Sequence, residues 1–188
     1  MKITIVYESM FGNTREVAQA IGDGIRAAQT DADVQCVDVA DATPELIKAT
    51  DLLVVGGPTH IRGMTSGFTR KLGVSGEGKA EAAGEPTHEL EEDAEGPGVR
   101  EWFDGLPKLE NGGQAAAFDT RLPSPMAGGA ARGIARRLRR HGYRLVSDPE
   151  GFIVDESYGP LRPGEIDRAK QWGAESIRAS VGPSRQAT

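Results

Sequence analysis

Apolar and polar positions along this chain switch repeatedly between two rhythms. Lys2–Glu8 is a short, mostly apolar run, and Asn13–Ala28 repeats its apolar positions at helical spacing, which predicts a buried strand followed by a helix. Val34–Val39 and Asp51–Gly56 read as the second and third strands, with a short helix at Pro44–Ala49 between them. Thr43 is placed to cap that helix, and Pro44 suits its first position, where a missing N–H leaves no bond unmade. Gln114–Phe118 is a fourth strand and Pro125–His141 a long helix. Tyr143–Val146 together with Phe152–Val154 makes the last strand, bent or interrupted at SDPEG, and Pro163–Ala179 is the closing helix. Strands that alternate with helices imply a parallel sheet wrapped on both faces. Near-continuous apolar strands fit burial on both sides. The predicted fold is α/β: a three-layer, doubly wound, five-stranded parallel sheet.

Two stretches break the rhythm. Gly73–Gly98 is rich in Gly, Ala, Glu and Pro and carries almost no large apolar residue, so it is expected to be a mobile surface insertion. Gly182–Thr188 is expected to be a flexible tail, leaving one domain over residues 1–181. Between the insertion and the fourth strand, VREWFDGL predicts a helix that packs Trp102 and Phe103 on the sheet.

The charge changes the picture only locally. The chain carries a formal net charge of −6. Gly76–Gly98 holds eight acids against Lys79 alone, so the rest of the body is nearly neutral. Nucleic acid is an unsuitable partner for so acidic a segment. No apolar stretch is long enough to span a bilayer and the N-terminus enters a strand at once, so a soluble, cytoplasmic protein is expected. The single cysteine, Cys36, excludes an intrachain disulfide and a cysteine-built zinc site, and its apolar surroundings suggest a small buried hydrophobe.

The candidate chemistry sits where the first strand meets its helix, at Ser9, Met10, Phe11, Gly12, Asn13 and Thr14. Ligands of parallel α/β sheets bind beyond the carboxyl ends of the strands. Small polar side chains, a glycine and the unpaired N–H groups of a helix start make a cradle for a phosphate that needs no lysine. Rival phosphate motifs are missing: no Gly-Lys-Ser/Thr triplet occurs, and no G-x-G-x-x-G follows the first strand. GDG at Gly22–Gly24 lies inside the helical stretch. No nucleophile triad or metal-ligand spacing is visible, so no catalytic residue and no metal ligand is assigned.

The segment SMFGNT resembles the phosphate loop of the flavodoxin-like family. Two further segments, GGPTHIRGM after the third strand and FDTRLPSPMAGG after the fourth, fall where that family keeps its other flavin loops, and GFIVDESYGPLRPGEIDRAKQWG resembles its C-terminal end. The resemblance implies a flavodoxin-like strand order 2-1-3-4-5 and FMN as cofactor. It puts the phosphate on Ser9–Thr14. It puts the ring between Pro58, Thr59, His60, Ile61, Arg62 and Gly63 on one side and Asp119, Thr120 and Arg121 on the other. It further implies an electron carrier that shuttles between a reductase and an acceptor protein. The family's usual ring-stacking aromatics are absent: His60 and Ile61 stand in the second loop, Arg121 and Leu122 in the third. Arg62 and Arg121 beside the ring would favour its anionic reduced form and raise the potential. Two alternatives stay open: an FMN-dependent NAD(P)H or quinone oxidoreductase, and a flavin-free binding module on the same fold. A monomer is slightly favoured over a dimer. The long helix carries Arg132, Arg136, Arg137, Arg139 and Arg140 mostly opposite its apolar stripe, which reads as a solvated face. His88 falls in the acidic stretch and His141 at a helix end, where a cation suits the dipole.

Overall fold

The computed structural model describes residues 1–60, 63–64, 75, 90, 97–109, 112–123 and 129–182. Most of the acidic stretch, the tail beyond Gly182, and Ile61 and Arg62 lie outside the described residues. Strands are β1 (Lys2–Tyr7), β2 (Asp33–Asp38), β3 (Leu52–His60), β4 (Gly63–Met64), β5 (Gly113–Arg121), β6 (Tyr143–Leu145) and β7 (Glu150–Ile153). Helices are α1 (Asn13–Ala28), α2 (Pro44–Lys48), α3 (Val99–Gly105), α4 (Ala130–Arg140) and α5 (Glu165–Val181).

The sheet runs β2-β1-β3-β5-β6, all parallel. With β6 and β7 counted as one interrupted strand, this is the expected order 2-1-3-4-5. Both halves pair in parallel with β5, β6 along its first residues and β7 along its last. The SDPEG stretch is thus a break within one strand position. β4 forms a short antiparallel hairpin with the end of β3.

Alternation along the strands feeds two cores. Leu53 and Val55 of β3 join Phe103, Ile134 and Leu138 on the face covered by α3 and α4. Leu52 and Val54 join Ile21, Ile25, Phe118 and Trp172 on the face covered by α1 and α5. The α1–α5 crossing is tight enough that a Cβ on Gly24 would fall on the Lys170 carbonyl, and one on Gly173 on the Ile21 carbonyl. Thr43 caps α2 as expected, accepting the Leu46 N–H at 3.3 Å. In α3, Phe103 is fully buried, and Trp102 Nε1 donates to the Ala42 carbonyl at 2.8 Å.

Two strands run further than their apolar runs suggest. β3 continues through Gly57 and Pro58, and β5 through Asp119 and Thr120, because the parallel ladder between them holds as far as Pro58 and Thr120. Both loops of interest are therefore rigid strand ends at their start. Cys36 is half-buried rather than buried, because β2 is the edge strand. Its Sγ lies 3.5 Å from the Ala18 carbonyl, and burial pushes the thiol above its ordinary value of 9.0. Among the described residues no helix is long and apolar enough to cross a membrane.

Candidate functional site

The carboxyl ends of β1, β3, β5 and β7 converge on one edge of the sheet. At the first of them the chain turns through Glu8–Gly12 into α1. Gly12 takes φ 83° and ψ −25°, a left-handed conformation that residues with a Cβ adopt at a cost. It reverses the backbone just before the helix, whose N-terminus has no side-chain cap. The helical ladder opens with Glu16 N–H donating to Gly12 at 3.0 Å, so the amides before it stand outside the ladder. Ser9 is 4% exposed, and its hydroxyl oxygen has no hydrogen-bond partner among the described residues. A buried hydroxyl in that state costs free energy unless something else satisfies it. Beneath this turn Glu8, also buried, accepts the Val99 N–H at 2.9 Å and so fixes the start of α3.

A cleft of about 240 Å³ opens over the turn. Ser9, Met10, Phe11, Asn13 and Thr14 form its floor, Pro58 and Thr59 one wall, and Thr120, Arg121 and Leu122 the facing wall. Val154 and Ser157, from the loop after β7, line the cleft as well. The two remaining polar side chains of the floor are already engaged within the chain. Thr14 Oγ1 pairs with Thr120 Oγ1 at 2.8 Å. Asn13 Nδ2 donates to the Tyr158 carbonyl at 2.9 Å and lies 3.5 Å from that of Phe11. Among the described polar side chains of the floor, Ser9 is the one without a hydrogen bond.

The second and third loops are joined through the start of α4. Thr59 Oγ1 accepts the Ala130 N–H and Asp119 Oδ2 the Ala131 N–H, each at 2.8 Å. Two amides at the start of α4 are thereby engaged by side chains, whereas α1 has no side-chain cap. The fully buried Asp119 carboxyl points back at α4, so the part of this residue left for a ring is its backbone. Oδ1 lies 3.2 Å from Arg121 Nε without an aligned hydrogen bond, and the guanidinium packs on Gly151, where a Cβ would overlap it. Arg121 therefore lines the cleft with its charge tied to Asp119.

Burial holds the Asp119 carboxyl above its ordinary 3.8, against the lowering pull of the Ala131 amide and the Arg121 charge. The folded chain keeps this proton more tightly than the unfolded chain does. The resulting stabilisation is complete below pH 3.8 and is lost as the pH rises through the elevated folded value. Urea unfolding across that range is expected to show the wild type losing stability relative to Asp119→Asn as the pH climbs. Parallel profiles for the two proteins would contradict this.

Of the residues expected at the site, Ser9, Met10, Phe11, Asn13, Thr14, Pro58, Thr59, Thr120 and Arg121 come together on the cleft. Gly12 shapes its floor from below. His60 and Gly63 pair with each other in the β3–β4 hairpin. Ile61 and Arg62 lie outside the described residues. Leu122, expected in the third loop, lines the cleft too, whereas Val154 and Ser157 were missed by sequence reasoning. The signal for the last two was present: DESYGP follows the last strand, so it too falls at the carboxyl edge of the sheet. His141 differs from expectation as well. It caps α4, but burial lowers its pKa below 6.5, its Nδ1 has no partner among the described residues, and its ring lies 5.6 Å from that of Phe103.

Comparison with known proteins agrees with this geometry. Residues 5–111 match the flavodoxin family. A flavodoxin from the domain Archaea superposes with a TM-score of 0.62 at 22% identity, over 96% of this chain and 99% of that one. Oxidised Flavodoxin 1 from Bacillus cereus does so with a TM-score of 0.62 at 19% identity, over 94% and 97%. At those identities the fold is what is shared. Among curated proteins, an NAD(P)H dehydrogenase (quinone) from Gluconacetobacter diazotrophicus is 32% identical over 83 residues, covering 35% of this chain. The chain spans only 42% of that relative's length.

Proposed function

The chain belongs to the flavodoxin family, and from that premise we propose that it is an FMN-dependent electron carrier that takes electrons from a reductase and passes them to an acceptor protein. FMN is the cofactor the family implies, and when bound it supplies the redox chemistry. What the chain supplies is binding, orientation and shielding from water.

The observation that carries the proposal is the Ser9 hydroxyl, buried and unpartnered at the uncapped start of α1. A phosphate dianion offers the acceptors this corner lacks, and the helix dipole favours its charge. Ser9 and the backbone of the turn through Gly12 would hold it. Pro58, Thr59 and Leu122, on the two walls, would hold the flavin ring. These walls present no aromatic ring among the described lining residues. Arg121, tied to Asp119, would place a partly balanced positive charge at the wall.

The partial similarity to a quinone dehydrogenase supports a second reading, in which the chain itself oxidises a nicotinamide and reduces a quinone. One assay separates the two. The carrier is expected to bind one FMN per chain, quenching its fluorescence, and to show no steady-state NADH or NADPH oxidation with a quinone until a flavodoxin reductase is added. Sustained turnover without the reductase would select the enzyme. Failure to take up FMN would remove both.

A further inference from the structure

We propose that the loop between β7 and α5 is a fourth cofactor-binding segment, in which the Ser157 hydroxyl donates to the phosphate end of the flavin nucleotide while the Tyr158 carbonyl holds Asn13 in place beside it. The proposal has the FMN assignment above as its premise. It adds a segment that none of the three expected flavin loops contains.

The first ground is a shortage of donors. A phosphate dianion has three oxygens free of the ester link and calls for several hydrogen bonds. The floor of the cleft has spent most of its side-chain capacity inside the protein. Thr14 pairs with Thr120, and Asn13 points its amide at the Tyr158 and Phe11 carbonyls. Ser9 is left, and the six residues Ser9–Thr14 include no cation. A further neutral donor is wanted on the open side, and Ser157 lines the same cleft as Ser9.

The second ground is placement. Ser157 precedes the residue whose carbonyl lies 2.9 Å from Asn13 Nδ2, and Asn13 is the first residue of α1. The contact is broad. The Phe11 and Tyr158 rings meet edge to face with centroids 4.9 Å apart. Gly159, at φ 105°, packs so closely that a Cβ there would lie 2.5 Å from Asn13 Oδ1. The loop is thus seated on the helix end that would bind the phosphate.

The third ground is rigidity. Val154 bridges Leu161 across the loop's stem. Asp155 N–H donates to the Pro160 carbonyl at 3.0 Å, and Gly159 N–H to the Glu156 carbonyl at 3.1 Å. Arg162 Nε donates to Asp155 Oδ1 at 3.0 Å, which ties the two ends of the loop together. A hydroxyl carried on so fixed a loop is presented without a further ordering cost.

The test compares two ligands that differ only in the phosphate. Apo-protein is titrated with FMN and with riboflavin, following flavin fluorescence, for the wild type, Ser157→Ala and Gly159→Ala. Removing one hydrogen bond to a charged group is expected to weaken FMN about tenfold in Ser157→Ala. Riboflavin affinity and the thermal midpoint of the apo-protein stay unchanged in that variant. Gly159→Ala, which displaces Asn13, weakens FMN more than riboflavin. Unchanged FMN affinity in Ser157→Ala overturns the proposal, and so does an equal loss for both flavins, which would put the loop against the ring. A wild type that binds neither flavin defeats the FMN assignment itself and is told apart by that result.

Discussion

Substitution of Gly12 by valine is expected to weaken FMN binding by at least about 100-fold, or ~2.7 kcal/mol. Gly12 sits at φ 83°, where a β-branched residue is a steric outlier. Holding a non-glycine residue there costs roughly 1–3 kcal/mol. The turn escapes that strain by rebuilding, and rebuilding moves the amides that precede Glu16 away from the phosphate position. Apo-protein stability falls by no more than the strain itself, because α1 remains packed on α5 through Gly24 and Gly173. Fluorescence titration with FMN beside thermal unfolding of the apo-protein checks both halves. Wild-type affinity in Gly12→Val would mean that the turn does not set the donors.

The largest loss of stability is expected from Phe118→Ala, about 3–5 kcal/mol. Phe118 is fully buried in β5, an inner strand flanked by β3 and β7. Its ring fills the space beside Gly56, where a Cβ would overlap it. It also meets Phe152 at 6.3 Å and Trp172 at 6.4 Å, both steeply inclined, which adds quadrupolar attraction to burial. Truncation leaves a cavity walled by two strands and α5, elements that cannot collapse without shearing the ladder. A midpoint lower by roughly 6–20 °C is expected in thermal unfolding of a chain this long. A change below about 1 kcal/mol would show that the core closes over the gap.

What was legible in the sequence follows from how each feature is encoded. The α/β alternation, the interrupted last strand and the Thr43 cap depend on local spacing, and all stand in the structure as expected. The strand order and the flavodoxin likeness rested on three loops in sequence order, and the fold and the family match support them. The extra length of β3 and β5 was invisible because Gly57, Pro58 and Asp119 are turn formers by composition. Only the neighbouring strand keeps them extended. The inward turn of Asp119 needed the start of α4 to be known, since a carboxylate earns burial there by accepting an amide. The engagement of Asn13 and Thr14 was hidden for the same reason. Their partners, Tyr158 and Thr120, lie 145 and 106 residues away. Local pattern names candidate donors, whereas long-range contacts decide which of them remain available to a ligand.

The central claim is that the turn from β1 into α1 grips the phosphate of FMN. A crystal structure of the protein grown with FMN measures this most directly. Phosphate density within hydrogen-bonding distance of Ser9 Oγ and of the backbone amides through Gly12 and Asn13 is the predicted result. A phosphate located elsewhere, with the Ser9 hydroxyl satisfied by the chain or by water alone, would contradict it.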